Sequence, residues 1–188
     1  MSPAPTCNNG REATRVEEVI LVDEEDRPVG SAEKEAAHRE GGRLHRAFSI
    51  FIFDDPGRML LQQRAERKYH FGGKWTNACC GHPRPGEESE HAAHRRLREE
   101  MGFDTPLRRA LAFLYAATDE RSGLTEREYD HVFIGRYDGE PRPDPAEIAA
   151  IRWVERAELE RDLAERAERY TPWFANAYAR LAASALLP

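Results

Sequence analysis

The chain is poor in cysteine, in net positive charge and in long apolar runs. Cys7, Cys79 and Cys80 are its three cysteines, two of them adjacent. An odd count with a neighbouring pair is not a disulfide framework, and it reads as a reducing, cytoplasmic setting. Lys and Arg number 28 against 34 Asp and Glu, a net charge of -6. That field does not draw in nucleic acid, although local basic clusters or a metal still capture a small anion. No run approaches the ~18 apolar residues of a membrane span. The N-terminus is polar and has no apolar stretch of the signal-peptide kind. Neither a nucleic-acid partner nor a membrane partner is therefore expected. No internal repeat and no linker interrupts residues 16–188.

Hydrophobic residues at 40% and charged residues at 33% give a soluble, globular composition. A length of 188 residues suits one domain with a proper core. Residues 1–15, rich in Pro, Asn, Gly and charge, read as a disordered tail in which Cys7 is a solvated thiol. Residues 16–188 then form the single domain. Val19 to Val22 reads as a strand, Asp23 to Gly30 as a turn, and Ser31 as the N-cap of a short helix from Lys34 to His38. Arg46 to Phe53 and Met59 to Gln63, joined by Asp54-Asp55-Pro56-Gly57, read as a hairpin-like pair. Ala65 to Gly73 is a polar loop, and Trp75 to Cys80 is strand-like. A helix runs from about Glu87 to Met101, with Ala93, Leu97 and Met101 as its buried stripe and Gly102 as its stop. Leu111 to Ala117, Tyr129 to Tyr137 and Ile151 to Val154 read as strands, with Trp153 as core. Helices follow from Arg156 to Ala167 and from Pro172 to about Leu186. Strands and helices in this order imply an α/β or α+β domain.

Glu87, Arg95, Glu99 and Glu100 crowd onto one loop–helix unit. Neighbouring carboxylates repel, and a hard cation such as Mg²⁺ relieves the repulsion while bridging to phosphate oxygens. The plain alternative is a solvated charged helix. The spacing decides against it. Gly81, five residues, Glu87, seven residues and Arg95-Arg96-Leu97-Arg98-Glu99-Glu100-Met101-Gly102-Phe103 resembles the Nudix box. The resemblance implies a mixed β-sheet sandwiched between helices. One position departs: Nudix pyrophosphohydrolases carry Glu where this chain has Arg96. That puts hydrolysis in doubt and leaves the fold intact.

Trp75-Thr76-Asn77-Ala78-Cys79-Cys80-Gly81-His82-Pro83 precedes the box, after Glu33 to His38 and Arg43 to Ser49. Glu126-Arg127-Glu128 follows it. Together these segments resemble the Nudix-fold, metal-dependent isopentenyl-diphosphate isomerases over residues 17–180. The resemblance implies isomerisation of isopentenyl diphosphate to dimethylallyl diphosphate by protonation and deprotonation through a carbocation. It places His38, His45, His82, Glu126 and Glu128 as metal ligands. Glu100 becomes the ligand of a Mg²⁺ bound with the diphosphate, and Lys34, Arg64, Lys68, Arg96 and Cys80 contact the substrate. Cys80 and Glu128 take the positions of the acid/base pair, Tyr115 that of a neighbouring tyrosine, and Trp173 that of an indole beside the cation. His70, His91, His94 and His131 match no role and are read as structural or surface residues.

The residue types agree with those roles. In an extended chain i and i+2 face one side, so Cys80 with His82, and Glu126 with Glu128, each present two groups to one pocket. Cys79 then points away, as a packed small residue. Three histidines and two carboxylates suit an octahedral Mn²⁺ or Mg²⁺, and Zn²⁺ also fits. The reaction needs two acid/base groups flanking a flat alkene. The partner is then a small molecule, and the assembly a monomer or weak dimer. Two other functions compete: a nucleoside-diphosphate pyrophosphohydrolase, which Arg96 opposes, and a non-catalytic ligand-binding domain, which the intact Cys80 and Glu128 oppose.

Overall fold

The computed structural model describes residues 17–68, 70–184 and 186–187. The tail expected over 1–15, with Cys7, lies outside them. The elements run β1 (Glu18–Val22), β2 (Pro28–Glu33), α1 (Lys34–His38), β3 (His45–Phe53), β4 (Met59–Arg64), β5 (Trp75–Asn77) and β6 (Cys79–Gly81). They continue with α2 (Ser89–Met101), β7 (Leu107–Thr118), β8 (Thr125–Arg136), β9 (Ile148–Val154), α3 (Arg156–Glu165) and α4 (Pro172–Ala183). Among the described residues the strands form one nine-stranded mixed sheet. β3 lies parallel to β8, and most other neighbours are antiparallel.

Alternation along β3 divides the interior. Phe51 and Phe53 face a core built with Leu61, Val132 and the α4 residues Phe174, Ala177 and Leu181. Phe48, Ile50 and Ile52 face the other core, beneath Ala93, Leu97 and Met101 of α2. The sheet is thus covered by α2 on one side and by α3 and α4 on the other, the layered arrangement expected. The stripe at i, i+4, i+8 on α2 is fully buried. Gly102 closes α2 in the left-handed region at φ 71°, and its N–H bonds to the Arg98 carbonyl. A side chain there would also meet the Arg142 carbonyl at 2.7 Å.

Three expectations need correction. Ser31 is not a helix cap: it lies in β2 and its hydroxyl donates to Glu18. Glu33 caps α1 instead, accepting from the N–H groups of Glu35 at 2.8 Å and Ala36 at 2.7 Å. β2 was hidden because Pro28 and Gly30 read as a turn, and because an exposed edge strand has no apolar alternation to betray it. The hairpin-like pair is not a true hairpin. β3 and β4 pair only at Phe53 and Met59, and then diverge. β3 is zipped along all nine residues to β8, while β4 pairs with β5 and β9. A local turn fixes chain reversal, but the long-range partner wins the ladder.

Leu97→Ala is expected to destabilise the fold by about 2–5 kcal/mol, as for a fully buried leucine. Urea unfolding monitored by circular dichroism checks this. A loss below about 0.5 kcal/mol would return α2 to the status of a solvated helix.

Candidate functional site

Strand register assembles the centre of the site. His45 of β3 is the cross-strand partner of Glu128 on β8, and Glu128 is the partner of Tyr115 on β7. Three adjacent strands therefore place a histidine, a carboxylate and a phenol in one row on one face. Two residues back along β8, Glu126 adds a second carboxylate on that face. On β6, Cys80 pairs with Ser49 of β3, and Cys79 pairs with Ile50. Cys80 thus shares the face of His45, and Cys79 is buried in the α2 core, as expected from alternation. His82 follows directly after β6. His38 arrives as the last residue of α1, and the 39–44 loop returns the chain to His45. In that loop Gly42 has φ 74°, and a side chain would strike the Thr125 carbonyl at 2.7 Å, so the loop seats directly on the start of β8.

The side chains of His38, His45, His82, Glu126 and Glu128 converge, with one donor atom of each lying within 4.8 Å of all the others. His38 Nε2 is 2.8 Å from Glu126 Oε2, and His82 Nε2 is 2.8 Å from Glu128 Oε1. The Nε2 atoms of His45 and His82 are 3.2 Å apart. Their tautomers decide what the cluster accepts. His38 Nδ1 is 2.6 Å from the Lys34 carbonyl, and His45 Nδ1 is 2.8 Å from the Arg43 carbonyl. A carbonyl only accepts, so each Nδ1 carries the proton and, in the neutral ring, each Nε2 offers its lone pair inward. Inward lone pairs and two carboxylate oxygens at such separations fit a divalent ion with N and O preferences.

The electrostatics agree. Burial alone would raise the pKa of Glu126, but hydrogen bonds with His38 and His70 outweigh it and hold the carboxyl well below its usual range. Glu128 is likewise pushed up by burial and by Glu126, yet His45 and His82 bring it below normal. Burial pushes His82 down to about 4, against the opposing pull of Glu128, so its ring is neutral at neutral pH. Burial also works to lower His38, but Glu126 prevails and raises it.

A cavity opens beside this cluster. Cys80, Glu128, Tyr115 and Trp173 all line it, as do Lys34, Arg64, Lys68, Arg96 and Glu100. Burial lifts the Cys80 thiol to about 12, so it is protonated at neutral pH. Tyr115, its pKa raised by burial and by Glu128, donates its hydroxyl proton to Glu128 Oε2. The cations are held by acids. Lys34 pairs with Glu17 at 2.9 Å, Lys68 with Glu147, and Arg96 with Glu99 at 2.8 Å and with Glu100. Arg64 lies over the Trp173 indole, 5.2 Å from its centre, showing that this ring face accepts a cation.

The crowded acidic unit separates. Glu87 forms a two-pronged pair with Arg95, both contacts at 2.8 Å, and neither residue lines the cavity. Of the box, Arg96, Glu100 and Gly81 reach it. His70, expected to be a structural or surface residue, is not on the surface. It is buried, lines the cavity and contacts Glu126. No periodicity marks a histidine in an irregular loop, and its proximity to Trp75 and Cys80 in sequence was the available signal. His94 pairs with Asp104, and His131 with Asp26, both away from the cavity.

A NUDIX domain family model matches residues 43–174. The chain is 54% identical over 159 residues to a protein of Aromatoleum aromaticum named isopentenyl-diphosphate Delta-isomerase 2, covering 85% of this chain and 83% of that one. It is 48% identical over 172 residues to isopentenyl-diphosphate Delta-isomerase of Streptomyces coelicolor, covering 90% and 85%. Among solved structures, DR0079 from Deinococcus radiodurans superposes with a TM-score of 0.73 at 23% identity, over 87% of this chain and 98% of that one, a likeness of fold.

Iodoacetamide is expected to modify Cys80 at pH 8 in the ion-free protein at least about 100-fold more slowly than free cysteine, because its half-buried thiol is protonated. Peptide mass spectrometry checks the rate. Modification as fast as that of free cysteine would show an exposed, thiolate-rich Cys80.

Proposed function

Because the chain belongs to the Nudix family, and within it to the isopentenyl-diphosphate Delta-isomerases, we propose that Cys80 and Glu128 carry the interconversion of isopentenyl and dimethylallyl diphosphates. The observation that carries this reading is the shared cavity. A protonated thiol from β6 and an ionised carboxylate from β8 open into one space walled by Arg64, Lys68 and Arg96.

The chemistry follows from what each group holds. Moving a double bond across an allylic unit requires a proton added at one carbon and another removed two carbons away. Cys80 and Glu128 divide these tasks, and the reverse direction exchanges them. Tyr115 keeps the Glu128 carboxylate oriented through its hydroxyl. Protonation leaves a tertiary cation, and the Trp173 indole face suits it. Lys34, Arg64, Lys68 and Arg96 bind the diphosphate: Arg offers paired N–H groups and Lys a point charge. The carboxylate partners of Lys34, Lys68 and Arg96 act as place-holders that a diphosphate displaces.

The five-residue cluster of His38, His45, His82, Glu126 and Glu128 is suited to Mn²⁺ or Mg²⁺, with Zn²⁺ also chemically acceptable. When bound, such an ion fixes the Glu128 carboxylate and tunes its proton affinity. Glu100 is assigned to a Mg²⁺ that accompanies the diphosphate. The hydrolytic alternative is disfavoured by Arg96, whose pairs with Glu99 and Glu100 neutralise the acidic helix face that hydrolysis would use.

Cys80→Ala and Glu128→Gln are each expected to lower the isomerisation rate by about 10²–10⁴-fold, the usual worth of a positioned acid or base. Cys79→Ala, on the opposite face, is expected to stay near wild type. Mass spectrometry after incubation with isopentenyl diphosphate in deuterated water reads both: deuterium enters the product only when the proton transfers occur. Full incorporation by Cys80→Ala, or release of inorganic phosphate by the wild type, would overturn the assignment.

Exhaustive chelation is expected to abolish isomerisation, and added Mn²⁺ or Mg²⁺ to restore it. Turnover that persists undiminished in demonstrably ion-free protein would remove the metal from the account.

A further inference from the structure

His70 is buried in the cavity wall, yet the reaction as described gives it no task. Its placement is over-determined. The next residue, Phe71, sits in the left-handed region at φ 49°, a conformation that is costly for a bulky residue. That backbone is held because the Phe71 N–H donates to Asp119 Oδ2 at 3.0 Å. Asp119 also accepts from the Arg121 N–H at 3.2 Å and the Ser122 hydroxyl at 3.0 Å. The Phe71 ring packs edge-on against Trp173, with centroids 5.3 Å apart. The main chain at His70 is fastened as well, since its carbonyl accepts from Arg64 Nη2 at 3.2 Å. Strain, a buried carboxylate and an aromatic wall thus combine to aim one side chain inward.

What it meets is Glu126. That carboxylate gives Oε2 to His38, 2.8 Å away, and Oε1 to His70 Nε2. His70 is outside the group of five converging ligand side chains, so it meets the cage from the outside. Both His70 and Glu126 are almost wholly buried, at 5% and 3% exposure, so water does not compete for the contact. We infer that His70 is a positioning residue for the metal cage, donating its Nε2–H to Glu126 Oε1 so that Oε2 stays fixed beside His38. This rests on the five-residue cage proposed above and adds a sixth residue to its support. A carboxylate tied by one oxygen from outside has lost its rotation before an ion arrives, and outer partners of this kind are worth about 10–100-fold in metal affinity. The residue also joins two parts of the site. Its side chain holds the cage, and its main chain holds Arg64, which lies over Trp173.

The test is Mn²⁺ binding to the chelator-stripped full chain, with free ion counted by electron paramagnetic resonance, a readout independent of turnover. His70→Leu keeps bulk against Phe71 and Trp173 but has no donor, and His70→Gln keeps an N–H donor on a similar volume. His70→Leu is expected to weaken Mn²⁺ binding about 10–100-fold, with His70→Gln within about threefold of wild type. Should His70→Leu fail to fold, His70→Ala replaces it in the same comparison. Wild-type affinity in the variant without a donor, or equal losses in both variants, overturns the role and leaves the cage standing. Failure of the wild type itself to take up Mn²⁺ would overturn the cage, and this inference with it.

Discussion

The architecture depends on two carboxylates, Glu126 and Glu128, buried side by side on one strand. Desolvating such charges costs several kcal/mol each unless partners are close and well oriented. Here the partners are imidazoles, and the outer nitrogens of two of them, His38 and His45, face backbone carbonyls. Two negative charges among imidazole nitrogens suit a compact positive charge of two, which is what a divalent ion would supply. Within the protein the carboxylates lean on His38, His70 and His82, and Glu126 raises the pKa of His38.

Everything around the pair serves to hold it. The parallel pairing of β3 with β8 brings His45 alongside Glu128, and the antiparallel pairing of β7 with β8 brings Tyr115 to its other side. The same alternation sends Phe48, Ile50 and Cys79 into the α2 core. One strand therefore sends Phe48, Ile50 and Ile52 into the α2 core, while its opposite face carries His45 and Ser49 at the site end and Phe51 and Phe53 into the core under α4. The Cys80 thiol is positioned in the same way, because Ser49 and Cys80 share a register position. Rigid strands, rather than loops, carry the proposed acid/base pair, which favours the precision that proton transfer needs.

Much of this was legible in the amino-acid order. The box spacing marked α2 and its stop, and the i, i+2 spacing put both glutamates on one side. Alternation also separated Cys80 from Cys79. Convergence was not legible from the residues themselves: His38 and Glu126 are 88 positions apart, and only the pairing of β3 with β8 and the seating of Gly42 bring them together. The family resemblance supplied that grouping. Where no motif existed, reading failed in a physically sensible way. β2 is an exposed edge with no apolar alternation, and the β3–β4 turn concealed a long-range partner. His70 sits in an irregular loop whose direction is fixed by a strained neighbour and a distant aspartate. Charge crowding misled as well, since Glu87 serves Arg95 rather than the cavity.

A single ion among five side chains, neutralising the buried pair, is the arrangement proposed for this site. Anomalous diffraction from crystals soaked in Mn²⁺ decides it. One strong peak is expected, bounded by His38, His45, His82, Glu126 and Glu128. A peak at the Glu87–Glu99 face with none among those five residues, or no peak anywhere, would contradict it.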